Sequence, residues 1–175
     1  MVLSLFRKKA ATEPVFVVYR AIVAQSRQPR FYAEWGVPDT VTGRFDMISL
    51  HLALLFRRLR AEPGAAKVFS QAVFDLFFKD MDRSLREMGA GDLAVPKKIK
   101  KMGNLFFGLL ASLNAALETG DVEAVAVVLT RNIYGGAAST SAYLLAEYLV
   151  AESGVLAAQS VEEIMAGHIV MGEAA

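Results

Sequence analysis

The sequence has no cysteine, so disulfides, thiolate metal sites, iron–sulfur clusters and a cysteine nucleophile are excluded. It also lacks long hydrophobic runs. The longest stretch without a charge, 102–117, is interrupted by glycine, serine and asparagine, whereas a membrane-spanning helix needs about 20 apolar residues. Basic residues follow the first apolar ones instead of preceding them, so a secretory signal is not expected either.

Motifs of catalytic and metal sites are missing as well. The two histidines, His51 and His168, have no second histidine at helical spacing, and no nucleophile elbow, P-loop or dinucleotide fingerprint occurs. Asp80 and Asp82 are two residues apart, which on a helix directs them roughly 200° apart and indicates ion-paired acids. We therefore expect no enzyme, no metal and no cofactor. Haem ligation by a histidine with a methionine stays a conceivable alternative.

The composition that is present indicates a folded helical protein. Hydrophobic residues make up 54% of the 175 residues and charged residues 21%, which excludes disorder for the bulk of the chain. Apolar residues recur at helical spacing, and no segment alternates long enough to compete as a strand. The sequence predicts an all-α fold, a single compact domain of about seven to eight helices over 12–175, preceded by a flexible basic arm over 1–11.

Individual helices can be placed from caps, breakers and stripes. The helix over about 40–62 has an apolar stripe that we expect to be its one buried face. The next helix ends near Met88 and has a main apolar row from Phe74 to Met88 and a second row through Phe69, Val73 and Phe77. A long helix opens at Pro96, and a row of small residues along it, from Gly108 to Ala115, predicts a close helix neighbour. Helices are predicted to begin at about Thr12, Thr40, Asp121, Ser139 and Ser160, with Thr12 and Asp121 as caps and Ser160 with Glu163 as a capping box.

Charge is unevenly distributed along the chain. Residues 1–101 hold 18 of the 19 Lys and Arg against 10 acids, while 102–175 hold one Arg against 8 acids. Either the basic half meets an acidic partner or anionic surface, or the two halves attract each other within one fold.

Arg44, His51 and Arg58 are seven residues apart, which predicts a polar ridge on one side of their helix, off the buried stripe. The ridge would be either an anchor for an acidic or carbonyl-bearing partner or simply a solvated face.

Two dense positive clusters complete the candidate sites: Arg7, Lys8 and Lys9 near the start, and Lys97, Lys98, Lys100 and Lys101 at the opening of a helix. Cations in a first turn oppose the helix dipole, which favours a binding role. Specific nucleic-acid binding is not expected at this modest overall charge. An anionic membrane surface or an acidic protein face suits the clusters better.

Two runs carry a family resemblance: FYAEWGVPDTVTGRFDMISLHLALLFRRL and FFKDMDRSLREMGAGDLAVPKKIKKM. Their order of motifs resembles the ubiquinol-cytochrome c chaperone family, the assembly factors of the respiratory bc1 complex in mitochondria and alphaproteobacteria. The resemblance covers about residues 30–135.

The resemblance implies a non-catalytic chaperone with newly made cytochrome b as its client. A second small assembly factor, the ribosome or an anionic membrane are further possible partners. Without the expected long presequence, a bacterial member is favoured, cytoplasmic and peripheral at the inner membrane (the matrix side if eukaryotic). A helical carrier of haem or lipid in an apolar pocket is the alternative. From motif position and polarity the partner contacts would be Arg44, His51, Arg58, Asp80, Asp82, Asp92, Lys98 and Lys101, and the membrane contacts Arg7, Lys8, Lys9, Lys97 and Lys100.

Overall fold

The computed structural model describes residues 2–60, 62, 64–137 and 139–172, with side chains from residue 13 onward, and these residues form eight helices. The predicted all-α architecture of about seven to eight helices is therefore confirmed. The helices are α1 (Val2–Ser26), α2 (Pro29–Ala33), α3 (Val41–Leu59), α4 (Ala65–Glu87), α5 (Val95–Thr119), α6 (Val122–Asn132), α7 (Thr140–Ala157) and α8 (Val161–Met165).

Four of the predicted helix starts are confirmed by their caps. The side-chain oxygens of Thr40, Asp121, Ser139 and Ser160 each accept a backbone N–H from the first turn of α3, α6, α7 and α8. Each cap satisfies a donor that has no partner inside the helix. These boundaries depend on neighbours within three residues, and for that reason the sequence alone could place them.

Helix α1 differs from its predicted start. It extends from Val2 and contains Pro14, so Thr12 lies inside the helix. The backbone is thus helical through the stretch for which the sequence predicts an arm. The side chains of 1–12, including Arg7, Lys8 and Lys9, lie outside the described residues, and the flexible basic arm stays a prediction.

Helix α3 is the central element, and it contacts α1, α4, α5 and α7. One core cluster joins it to α5, α6 and α7 through residues such as Leu50, Leu54 and Leu113. A second cluster joins it to α1, α4 and α8 through residues such as Phe45, Leu52 and Phe77. The two clusters lie on opposite sides of α3, so this one helix contributes residues to both cores.

The prediction of a single buried stripe on α3 is wrong because this helix is covered on both sides. Met47, Leu50 and Leu54, all outside the predicted stripe, are as fully buried as the stripe residue Leu52. Conversely, the first stripe residue, Val41, is 49% exposed because the core does not reach the start of the helix.

On α4 the row predicted as secondary is the more deeply buried of the two. The row of Phe69, Val73 and Phe77 is buried, while Phe74 is half-buried and Met88 is 52% exposed. The predicted close neighbour of the small-residue row on α5 is absent at Gly108, since a Cβ added there would meet no described heavy atom within 4 Å.

The corner between α2 and α3 is built from aromatic rings. Phe31 and Trp35 are buried with ring centroids 5.4 Å apart, and both contact the ring of Tyr148 on α7. The entry to α3 is tight, because a Cβ on Gly43 would lie 1.9 Å from the carbonyl oxygen of Pro38. Glycine is therefore the residue that fits at this position of the sequence motif.

A buried hydrogen-bond chain crosses the middle of the domain. Nδ1 of His51 lies 2.7 Å from the carbonyl oxygen of Met47. Because a carbonyl only accepts, Nδ1 carries the proton, and Nε2 accepts from the Tyr148 hydroxyl at 2.8 Å. The Tyr148 oxygen in turn accepts from Nε2 of Gln25 at 2.8 Å. Each polar group that takes part in these three hydrogen bonds therefore has a partner. Burial lowers the pKa of His51 to about 4.

Residues 168–172 form an extended strap after α8, which is held by polar contacts. Gln159 exchanges two hydrogen bonds with the backbone of Val170, both at 2.8 Å. The backbone N–H of Gly172 donates to the Glu152 carboxylate at 2.7 Å, and its carbonyl accepts from Gln25. Ile169 and Met171 pack against both core clusters. The strap thereby links α1 to α7 beside the buried chain.

His51 predicts a pH dependence of stability. Its folded pKa of about 4 lies below the ordinary value of about 6.5, so the unfolded chain binds more protons between these values, and stability falls as the pH falls through this window. Between about pH 7 and about pH 5, the parent should lose about 2 kcal/mol more unfolding free energy than the His51→Gln variant. Denaturant unfolding at the two pH values measures this difference. The contribution of buried carboxyls to the pH dependence cancels in this comparison, because the parent and the variant both contain them.

The matched control is His168→Gln, since His168 is exposed at the start of the strap. That variant should keep the pH dependence of the parent. Parallel stability curves for the parent and His51→Gln would contradict the prediction.

Candidate functional site: an apolar groove beside the turn between α4 and α5

An open groove of 510 Å³ lies where the start of α3, the end of α4 and the start of α5 meet. Its lining is mainly aliphatic, aromatic and thioether side chains, and three of them, Val41, Met88 and Leu105, are about half exposed. The apolar lining residues are Val41, Phe45, Leu85, Met88, Met102 and Leu105. We call this the α3–α5 groove.

Lysines form the polar edge of this groove. Lys98 and Lys101, three residues apart and hence neighbours on α5, both line it, as the sequence placed them in the partner set. Lys97 and Lys100 are exposed on the same two turns. No acidic residue occupies the first turn of α5, so the helix dipole adds to the positive charge at this end.

Arg86 connects two of the predicted partner residues, Asp82 and Asp92. Its guanidinium lies 2.6 Å from Asp82 and 2.5 Å from Asp92, which ties the end of α4 to the turn before α5. Both carboxylates belong to the elements beside the groove. The structure confirms Asp82 as an ion-paired acid and shows that Asp92 is one too. A partner contact by either carboxylate stays a prediction.

Asp80 lies apart from this group, as the spacing from Asp82 predicted. It accepts a hydrogen bond from the Tyr19 hydroxyl of α1 at 2.9 Å and forms an ion pair with Arg83. Burial and the Asp80 carboxylate raise the pKa of Tyr19. Asp80 therefore belongs to a second groove between α1 and α4.

The predicted polar ridge of Arg44, His51 and Arg58 is not a continuous surface. His51 has no exposed area and forms the buried hydrogen-bond chain, so it cannot touch a partner. The heptad spacing does put the three on one side, but α7 covers the middle of that side through Tyr148.

The two outer members of the ridge have different environments. Arg44 is exposed and lies 2.7 Å from Asp39, which lowers the pKa of that carboxyl by hydrogen bonding. Arg58 is half-buried and donates two hydrogen bonds to the carbonyl oxygen of Gln159, at 3.1 and 2.8 Å. Arg58 thus holds the end of α7, while a partner contact by Arg44 stays a prediction.

The sequence reasoning missed the apolar residues of the groove as functional candidates. Phe45, Leu85 and Met88 belong to apolar stripes that the sequence predicts as core. These stripes continue to the helix ends, where neighbouring helices no longer cover them. It also missed Asp46, a half-buried carboxyl on α3 whose pKa is raised to about 7 by burial.

The described residues form neither a metal site nor a membrane-spanning helix. In the described part of the chain, no cluster of three His, Cys, Asp or Glu side chains could hold a metal ion. Over the same residues, no helix has both the length and the apolar character required to cross a bilayer.

An all-helical domain with an open apolar groove edged by lysines has the features of a protein that binds other proteins. Comparison with known sequences makes this class specific: the chain belongs to the ubiquinol-cytochrome C chaperone family, whose sequence model matches residues 33–171. The match extends beyond residue 135, the end of the region that carried the resemblance, and adds α7, α8 and most of the strap.

Two relatives illustrate the family. The ubiquinol-cytochrome-c reductase complex assembly factor 1 of Xenopus laevis is 20% identical over 116 residues, which is 66% of this chain and 58% of that protein. The chain therefore spans little more than half the length of this relative. The Cbp3 homolog from Brucella abortus, whose crystal structure is known, is 42% identical to this chain in sequence. The two structures match with a TM-score of 0.89 over 99% of this chain and 98% of the other.

The contrast between Arg44 and Arg58 gives a direct test of which one is structural. Arg58→Glu should destabilise the fold by about 1–3 kcal/mol, since it removes two hydrogen bonds to Gln159 and places a carboxylate beside a carbonyl oxygen. Arg44→Glu should melt close to the parent because both side chains of its ion pair with Asp39 are 57% exposed, and exposed pairs add little stability. Thermal unfolding of the three proteins measures both effects. Equal melting of the two variants would contradict the assignment.

Proposed function

We propose that this protein is a non-catalytic assembly chaperone of the ubiquinol-cytochrome c reductase (bc1) complex and that it binds newly made cytochrome b. Family membership and the name of the Xenopus relative support a role in assembling this complex. The observation that carries the client-binding part of the proposal is the α3–α5 groove, an open surface that is lined mainly by apolar side chains, three of them about half exposed.

The groove has the chemistry to receive an apolar or amphipathic segment of a client. Met88 and Met102 are flexible and polarizable, so they can adapt to different side chains of a hydrophobic sequence. Phe45 and Leu85, which are nearly fully buried, provide a firm floor. A newly made membrane protein exposes segments of this character, and covering them would prevent their aggregation.

The lysines of α5 support contact with an anionic membrane. Lys97, Lys98, Lys100 and Lys101 all fall within about half the circumference of the helix, given about 100° per residue. They adjoin the groove, so a client could be held while the basic edge faces lipid headgroups. We propose that Arg7, Lys8 and Lys9 contribute to the same contact.

Location and further partners follow from this role. The chain would act at the cytoplasmic face of the inner membrane of a bacterium, where the client is inserted, and the resemblance to the Brucella abortus protein supports a bacterial member. A second small assembly factor and the ribosome are further proposed partners. Specific nucleic-acid binding is not part of the proposal.

The alternative of a haem carrier has little support from the two histidines. Both ring nitrogens of His51 form buried hydrogen bonds. To bind iron, the ring would have to give up at least one of these bonds. His168 belongs to the strap, and neither histidine lines the α3–α5 groove. Among the described residues, the groove therefore offers apolar contacts without an imidazole ligand.

The client role predicts a specific failure of complementation. Deleting the gene should lower cytochrome b and assembled bc1 complex while other respiratory enzymes stay near normal. Leu105→Glu, a substitution at a half-exposed groove residue, should fold but fail to restore the complex, because a carboxylate in the groove opposes burial of an apolar segment. Immunoblotting of cytochrome b and native gels of bc1 complex measure the outcome.

The matched control is Val68→Glu, since Val68 is 71% exposed on α4 and does not line the groove. It should restore the complex fully. Restoration by Leu105→Glu would show that the groove is not the client site, and unchanged cytochrome b after deletion would contradict the chaperone role.

The membrane role predicts salt-sensitive binding to anionic vesicles. A lysine near such a surface contributes about 1 kcal/mol, so Lys100→Glu, which also adds repulsion, should weaken binding about tenfold. Lys67→Glu, an equal charge change at the opposite end of α4, should have little effect. Flotation with anionic and neutral vesicles measures this. Equal binding to both vesicle types, or none to either at low salt, would assign the lysines to protein partners.

A further inference from the structure

A second groove, of 740 Å³, lies between α1 and α4. Its apolar surface consists of Phe16, which is 51% exposed, and of the half-buried Val23 and Leu76. The α1 residues that line it run from Phe16 to Arg27, about 16 Å along the helix axis. We call this the α1–α4 groove, and the assembly role proposed above does not use it.

The charge of this groove is strongly one-sided. Four cations, Arg20, Arg27, Lys79 and Arg83, line it together with a single carboxylate, Asp80. That carboxylate is already occupied by Arg83 and by the hydroxyl of Tyr19. Arg20, Arg27 and Lys79, by contrast, have no ion-pair partner within the described part of the chain.

The acidic half of the same chain does not neutralise these cations. Arg60 and Glu118 form an ion pair between the two halves, at 3.4 Å, whereas the other ion pairs among the residues described lie within the basic half. Direct ion pairs between the two halves are thus few among the described residues, and a wider attraction between the halves stays a prediction. A concave surface with apolar walls concentrates the field of its unpaired cations.

From this combination we propose that the α1–α4 groove is a docking site for an acidic amphipathic helix of a partner protein. The apolar strip of Phe16, Val23 and Leu76 would receive the apolar ridge of such a helix, and the cations on either side would pair with acidic residues flanking that ridge. The groove matches about three helical turns. A flat bilayer cannot reach the half-buried floor between two helices, which favours a protein segment over a membrane surface.

The proposal can be tested with the full chain and synthetic peptides. The probe is an alanine-rich helical peptide of about 15 residues in which leucine recurs at i, i+3, i+4 and i+7 and glutamates flank that row. A scrambled peptide of the same composition is its control. In fluorescence anisotropy at low salt, the amphipathic peptide should bind more tightly than the scrambled one, and added salt should weaken the complex.

Paired variants locate the site. Arg20→Glu should weaken peptide binding about tenfold and Phe16→Ala about fivefold, as expected for contacts at the centre of an interface. Lys67→Glu makes the same charge change and Val68→Ala a smaller apolar truncation, both on exposed residues outside the groove, and they should leave binding unchanged. Leu105→Glu, in the other groove, should also bind the peptide normally.

Several outcomes would overturn the proposal. These are equal binding of the amphipathic and scrambled peptides, equal effects of Arg20→Glu and Lys67→Glu, and loss of peptide binding in Leu105→Glu. Binding of anionic phosphatidylglycerol vesicles that Arg20→Glu abolishes, without any binding of the peptide, would assign the groove to lipid headgroups instead. Because these measurements do not involve cytochrome b, their failure is distinguishable from failure of the proposed chaperone role.

Discussion

The double burial of α3 is the constraint on which the rest of the structure depends. One helix supplies apolar residues to two separate cores, so α1, α4 and α8 on one side are fixed relative to α5, α6 and α7 on the other. Its covered middle contains a polar side chain, His51, and that residue is tolerated because Met47 and Tyr148 satisfy both ring nitrogens. Both grooves lie along α4: one is between α4 and α1, and the other is between the end of α4 and the starts of α3 and α5.

Much of the fold was predictable because it is encoded locally. The caps at Thr40, Asp121, Ser139 and Ser160 involve only neighbours in sequence, so the helix starts followed from them. The burial of His51 was not predictable in this way. It depends on Tyr148, 97 residues further along the chain, and a helix's own periodicity cannot say how many partners cover it.

The candidate site was predictable only in its charged part. Lys98 and Lys101 stand out as a cluster in the sequence, and the structure places both at the α3–α5 groove. The apolar part is indistinguishable from core in the sequence, because Phe45 and Leu85 continue the same stripes that fill the interior. What separates groove from core is where a neighbouring helix ends, and that is a property of the tertiary arrangement rather than of any one segment.

The strap gives the fold an uneven folding order. Gln25 and Gly172, which it joins, are 147 residues apart in sequence, and Glu152 and Gly172 are 20 apart. Closing the longer loop costs more chain entropy, so the helix pairs, whose contacts are more local, can form before the strap closes. We expect the joining of α1 to α7 through these five residues to come late in folding. Because these residues belong to no helix, the seam can open by breaking four side-chain hydrogen bonds and the contacts of Ile169 and Met171, without the unwinding of any helix.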